Sequence, residues 1–373
     1  MTVYVVLYIW FIAISVVTLF NETRIYKKNG SVRDPQYYRR RYILLTFGAI
    51  ILILGLRAQF MGADLLKGLN PGYLPSFDEI NDLSWIQVLQ TKSWYNYERG
   101  YIIFNKLIGS IFNNRQFFLF ACAFCGIAPI AYVVYKHSKD PLISVIIFVG
   151  LPTFVVEFST LRQAIAMGIT FLAVHFVMEH KPIKFIITVL IASMFHGSAI
   201  LFILVYPLYY YKNTKKSKVV NIFILGLVFV LRKPLYYIFS MVVYGQVYLE
   251  DGGAINLLIF FIMIYMFSAL FLDEDNEVGN GFLNIFWLAC FFQIISNVYT
   301  EVTRQGYYFN LALIILLPEV FMDMKKTAKP WMRYLAIGLL TLFFIAFGYF
   351  EIATTSWSVS NPYVFFWNAP KMP

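Results

Sequence analysis

Two short blocks carry the residues most able to do chemistry: Leu161-Arg162-Gln163-Ala164-Ile165-Ala166 and, about thirty residues on, Phe195-His196-Gly197-Ser198. Both lie between Phe158 and Pro207, in a stretch that is otherwise almost wholly apolar. A charged or titratable side chain beside hydrocarbon is costly unless it is paired or faces a wet cavity, so these two mark a functional site by default. Arginine keeps its charge at any working pH, and its planar fork grips a phosphate through two charge-assisted hydrogen bonds. Histidine can take up and return a proton near neutral pH. The combination suits an anionic ligand handled at a membrane.

A second tier of candidates lies at the same ends of the apolar segments: Arg57, Asp64, Glu98, Arg99, Glu157, Gln163, Arg232, Glu250, Asp251, Glu301 and Arg304. A lone arginine at a helix end is ordinarily a snorkelling anchor. Arg57, Arg162 and Arg304 on one side of the membrane read instead as the cations of a diphosphate site. Other motifs carry less. Cys122 and Cys125 form a C-x-x-C pair inside an apolar span, where packing explains them, and Cys290 is similarly placed. Asp273-Glu274-Asp275 resembles a metal-binding D-x-D but falls on a short polar turn, where a solvated loop is the simpler reading. His137, His175 and His180 lack metal-ligand spacing, and the chain has no phosphate-binding loop, dinucleotide fingerprint or nucleophile elbow. The reading assigns no metal and no cofactor.

The elements that must position these residues are membrane helices. Apolar residues make up 60% of the 373-residue chain and charged residues 13%, a balance that fits bilayer spans better than a soluble core. The fold class is all-α and polytopic, a single integral membrane domain over 1–373. About twelve crossings are expected, near 2–20, 42–60, 116–135, 141–156, 160–179, 184–195, 197–211, 218–231, 255–272, 281–299, 305–322 and 332–350. Some are short or re-entrant. One longer extracytoplasmic loop, about 61–115, carries an amphipathic helix. Its Tyr73, Phe77, Trp85, Trp94, Tyr95, Tyr97 and Tyr101, with Trp357, Tyr363 and Trp367 in the tail, suit either an interfacial belt or stacking against sugar rings.

The net charge of +10 could suggest nucleic acid, but the basic residues are not spread as a binding face. They cluster at Arg24 to Arg41, Lys136 and Lys139, Lys181 and Lys184, Lys212 to Lys218, and Lys325 to Arg333, after every second apolar run. That is the positive-inside pattern, and nucleic acid is excluded as a partner. It places His196 at the outer tip of a short helical hairpin, both termini outside, and Met1 at the head of an uncleaved first span.

The ordered blocks resemble the EpsG-like branch of the Wzy-type polysaccharide polymerases, over most of the chain. They are Leu56-Arg57 with Gly62-Ala63-Asp64; Glu98-Arg99-Gly100-Tyr101 opening Ile102 to Ile108; Leu161-Arg162-Gln163; Phe195-His196-Gly197-Ser198; Arg304 with Tyr307-Tyr308-Phe309; and Asn361-Pro362-Tyr363. After Gly62-Ala63-Asp64 this chain has Leu65-Leu66-Lys67, where family members usually carry tyrosines.

The resemblance implies a glycosyltransferase of the bacterial cytoplasmic membrane, acting on its periplasmic or exterior face. It would polymerise polyprenyl-diphosphate-linked oligosaccharide repeat units for O-antigen, capsule or exopolysaccharide, by an inverting, metal-independent transfer. Arg162, with Arg57 and Arg304, would stabilise the departing diphosphate. His196 would be the base, with Glu98 second, and Asp64, Gln163, Tyr101 and Tyr307 would contact substrate. Membrane lipid, a chain-length regulator and a flippase are the implied partners. An O-antigen ligase shares the same logic and differs in its acceptor. A lipid-linked oligosaccharide flippase or transporter would carry its charges nearer the midplane, and a non-catalytic scaffold would tolerate loss of Arg162 and His196.

Overall fold

The computed structural model describes residues 2–29, 35–66, 71–91, 96–244, 255–355 and 359–369, with backbone alone at 19–29, 35, 239 and 242–244. Trp94, Tyr95, Glu250, Asp251 and Trp357, named above, lie outside the described residues, as do the side chains of Arg24 and Lys28. Among the described residues the regular structure is helical. The helices pack as two compact units, Met1–Ile200 with Gly338–Pro373, and Leu201–Ile337, where the sequence reading counts one membrane domain.

The first unit holds α1 (Thr2–Asn29), α2 (Pro35–Gly55), α3 (Ala63–Leu66), α4 (Tyr73–Asp82), α5 (Trp85–Gln90), α6 (Arg99–Ile111), α7 (Arg115–His137), α8 (Pro141–Gly150), α9 (Pro152–Ser159), α10 (Leu161–Met178) and α11 (Pro182–Ser193). The second holds α12 (Val205–Tyr209), α13 (Lys215–Tyr244), α14 (Ile255–Phe271), α15 (Glu277–Ser296), α16 (Thr303–Asn310) and α17 (Leu313–Thr327). A last helix, α18 (Pro330–Thr354), begins in the second unit and ends in the first.

Helix lies in each of the twelve apolar segments, but not always as one straight rod. Five helices (α7, α10, α13, α15 and α18) are long and apolar enough to cross a bilayer, and up to seven spans result if each of two bent pairs is one. The first bend has a sequence cause. Pro152 has no N–H to give and disfavours helical geometry in the residue before it. Leu151 accordingly turns extended (φ −80°, ψ 148°), and α8 meets α9 at 63°. A second bend, of 52°, separates the 300–310 segment from α17. The 197–211 segment opens as a 3-10 helix, Gly197–Leu204, before α12. Exposed apolar side chains such as Phe223, Val230, Leu270, Leu339 and Leu342 coat the long helices, the surface expected against lipid tails.

The 61–115 segment folds as four helices rather than one. α4 turns Tyr73, Leu74, Phe77 and Ile80 inward, and these pack with Tyr97, Tyr101 and Ile102, with Phe118, Leu119 and Cys122 of α7, and with Leu161 and Ile165 of α10. Cys122 is thus a free, buried packing residue. Asn114 caps α7 by accepting from the N–H groups of Gln116 and Phe117, and Arg115 holds Asp78 of α4. These contacts seat the segment on the mouth of the α7 and α10 pair.

Candidate active site

Glu98 stands immediately before α6, where an acidic side chain commonly caps its own helix, yet it makes no such bond. Its carboxylate is turned to two distant parts of the chain. Oε2 takes an ion pair from Arg162 Nη1 at the start of α10. Oε1 accepts the N–H of Gly197 at 2.8 Å and faces His196 Nδ1 at 3.5 Å, a charge contact too poorly aligned to count as a hydrogen bond. One carboxylate therefore joins the two blocks that sequence spacing singled out. Burial alone would raise the Glu98 pKa, but His196, the Arg162 charge and the Gly197 N–H favour the anion and hold it at about 2.

The backbone around this carboxylate is tightly fitted. Tyr101 donates its N–H to the carbonyl of Met194 at 3.2 Å, laying the first turn of α6 on the turn after α11. A Cβ on Gly100 would stand 2.6 Å from Met194 Cβ and 2.7 Å from its carbonyl oxygen, closer than nonbonded atoms allow. Glycine is therefore required in Glu98-Arg99-Gly100-Tyr101 for the turn carrying His196 to approach.

Arg162 sits in an aromatic cradle. Its Cζ lies 4.6 Å from the ring centre of Tyr97 and 6.0 Å from that of Tyr73, and Nε donates to the Tyr73 hydroxyl at 3.4 Å. Nη1 also reaches the Asn96 carbonyl at 3.5 Å. Cation–π contacts of this kind contribute about 0.5–2 kcal/mol each and, with the ion pair, fix the fork. Nη2 has no partner among the described residues, and the side chain keeps 18% of its surface open. Tyr101, fully buried, packs edge-on against both rings, and its hydroxyl meets no partner among the described residues. Burial pushes the Tyr73 phenol up to about 12 despite the nearby Arg162 charge, so it serves as a neutral dipole. Asp64 adds negative charge near Tyr73 and Tyr97.

Arg57 is 1% exposed. Its guanidinium donates to the carbonyls of Leu54, Met61 (3.1 Å), Glu157 (3.4 Å) and Phe158 (3.1 Å), and lies 5.3 Å from the Phe158 ring centre. It thus braces the segment that runs into Arg162. Beside it the Ala63 N–H reaches Ser159 Oγ at 3.1 Å. Gly62 takes φ 128°, open to glycine but rarely to other residues, and a Cβ there would lie 2.0 Å from the Phe158 carbonyl oxygen. Gln163 is buried at 2% exposure.

The first unit thus gathers Arg57, Asp64, Glu98, Tyr101, Arg162, Gln163 and His196. Arg304 and Tyr307 belong to the second unit, on α16. Arg304 is half-exposed there and pairs with Glu301 at 3.1 Å. Among the described residues no group of three His, Cys, Asp or Glu side chains is placed to hold a metal. Asp273 of the D-x-D segment receives the Asp275 N–H at 3.2 Å and stands 3.5 Å from Lys326.

The order of these blocks along the chain is itself distinctive. A family model described as the EpsG family matches residues 40–365. The chain belongs to the EpsG family. It is therefore a polysaccharide polymerase-like protein of a membrane, with glycosyltransferase-like chemistry, as the resemblance implied. No curated protein and no solved structure matches it. In this EpsG-family chain the sequence marks Glu98 as a second base and Tyr73 and Tyr97 as loop aromatics. Glu98 falls between the two blocks in space, and the cradle tyrosines come from α4 and the turn before α6. The Gly197 N–H, a backbone donor, had no sequence signal at all.

Proposed function

We propose that this EpsG-family chain polymerises polyprenyl-diphosphate-linked oligosaccharide repeat units on the outer face of the cytoplasmic membrane. The observation that carries the reading is that Arg162 and His196, an anion-binding fork and a titratable ring, share one carboxylate, Glu98. The acceptor sugar hydroxyl attacks the anomeric carbon of the donor glycan, and the bond from that carbon to the diphosphate oxygen breaks. Its electron pair leaves with the polyprenyl diphosphate. The hydroxyl proton passes to His196. With Nδ1 turned to Glu98, Nε2 is the ring nitrogen left to accept it.

Arg162 meets the departing charge, first through Nη2 and then through both arms as the diphosphate displaces Glu98 Oε2. A single displacement of this kind inverts the anomeric centre, and arginine supplies the cation that a metal would otherwise bring. Glu98 orients His196. Arg57, Gln163 and Tyr101, all buried, position Arg162 and do not touch substrate. Asp64 contacts the sugar. The basic clusters that alternate with the apolar runs support the outer face as the side of this chemistry.

The test is high-molecular-weight glycan in cells that make each variant at normal level. Arg162→Lys, which keeps the charge and loses the fork, should lose most polymer. Wild-type polymer from Arg162→Ala would leave Arg162 an anchor and remove the reading.

A further inference from the structure

Along α7, from Phe120 to Lys136, α2 and α7 leave a groove of about 790 Å³. Its walls are Ile43, Leu44, Phe47, Ile51 and Leu52 of α2 and Phe120, Phe124, Ala128 and Ala131 of α7. Its floor is opened by Gly48, where an added Cβ would meet nothing within 4 Å. One end is basic: Arg40 and Lys136 border it, and no acidic side chain lines it. Arg40 is exposed and has no carboxylate partner among the described residues, while Lys136 lies 5.7 Å from the Tyr135 ring centre and 6.0 Å from that of Tyr132.

The adjoining residues explain why these two cations are the available ones. Arg39 gives its guanidinium to the carbonyls of Val134, Tyr135 and Ser138, tying α2 to the end of α7. Arg41 turns to the hydroxyl of Tyr37 at 3.2 Å. Arg40 and Lys136 are left at the mouth of an apolar trench. From Arg40 to Leu52 the helix rises about 18 Å, close to the roughly 15 Å of one bilayer leaflet.

We propose that this groove is a binding site for one anionic glycerophospholipid, its acyl chains along α2 and α7 and its phosphate against Arg40 and Lys136. An apolar partner helix would fill the trench without needing two cations at its end. A zwitterionic lipid would bring its own cation to the same place. A basic pair beside an acyl-length trench selects the anionic headgroup. The inference rests on the chain being a multi-pass membrane protein and stands apart from the transfer chemistry.

Native mass spectrometry of the intact purified protein, with phosphatidylglycerol or phosphatidylcholine added at equal concentration, tests it. The wild type should retain one phosphatidylglycerol in preference to phosphatidylcholine. Arg40→Gln with Lys136→Gln should weaken that preference roughly tenfold. Gly48→Phe, which fills the floor without breaking a helix, should lower retention of both lipids. Equal retention of the two lipids by the wild type, or an unchanged preference in the double variant, would overturn the proposal. A change of oligomeric state in Gly48→Phe with lipid count unchanged would assign the groove to a protein partner and overturn it as well.

Discussion

His196 is the residue on which a chemical role and a merely structural one differ most. As the base it should be dispensable for folding, so His196→Ala should slow transfer by roughly two to four orders of magnitude while donor binding persists. Rates measured with purified protein, alongside binding of the lipid-linked donor, separate the two roles. A near wild-type rate would reduce His196 to a polar contact at a helix junction. Glu98 makes a different prediction, in pH. Its carboxyl is held at about 2 against an ordinary 4.5, so the anion is favoured by the folded state. That contribution is fully present above pH 4.5 and disappears as pH falls toward 2. Glu98→Gln lacks it at every pH. The difference in thermal midpoint between wild type and Glu98→Gln should therefore be constant above about pH 5 and shrink on acidification. A difference that grows as pH falls would contradict the site geometry.

At the scale of elements, the site is held by contacts between chain segments far apart in sequence. The C-terminal tail is one of them. The Ala58 N–H reaches the Val364 carbonyl at 2.8 Å, the Phe366 N–H reaches the Leu56 carbonyl at 2.9 Å, and the Tyr363 hydroxyl donates to Ile53 at 2.7 Å. The tail thereby clamps the turn that carries Arg57, and Arg57 braces the residues entering Arg162. Tyr363→Phe should cost about 1 kcal/mol, whereas removing residues 359–373 should lower the thermal midpoint further and reduce polymer with it. Gly62→Ala, strained at φ 128° and pressed onto Phe158, should cost at least about 1–3 kcal/mol. Much of this layer was legible in sequence. The apolar runs marked helix in each of the twelve segments but not α3 to α6 in the 61–115 segment, and the blocks containing Glu98, Arg162 and His196 are ones that the fold brings together. The bends were not legible, since Pro152 could have kinked one helix or divided two. Nor was the commitment of Arg57 to backbone carbonyls, because sequence gives the charge of a side chain and not what it donates to.

For the whole molecule, the proposed outer-face chemistry needs the basic clusters and the site on opposite faces of the membrane. Arg39 and Lys136 sit at one end of α7, and the Asn114 cap and the Glu98 segment at the other, as that arrangement requires. Cysteine labelling in intact cells checks it: a cysteine at position 196 should react from outside, and cysteines at positions 215 and 326 should not. External labelling at position 215 would reverse the hairpin that carries His196. The central claim, that Arg162 and His196 perform transfer from a polyprenyl diphosphate donor, is tested most directly by supplying purified protein with polyprenyl-diphosphate-linked repeat units and following released polyprenyl diphosphate together with glycan length. The account predicts that the wild type releases one polyprenyl diphosphate for each repeat unit added, and that Arg162→Ala and His196→Ala, folded and in the membrane, release almost none. Chain growth at the wild-type rate in both variants would contradict it.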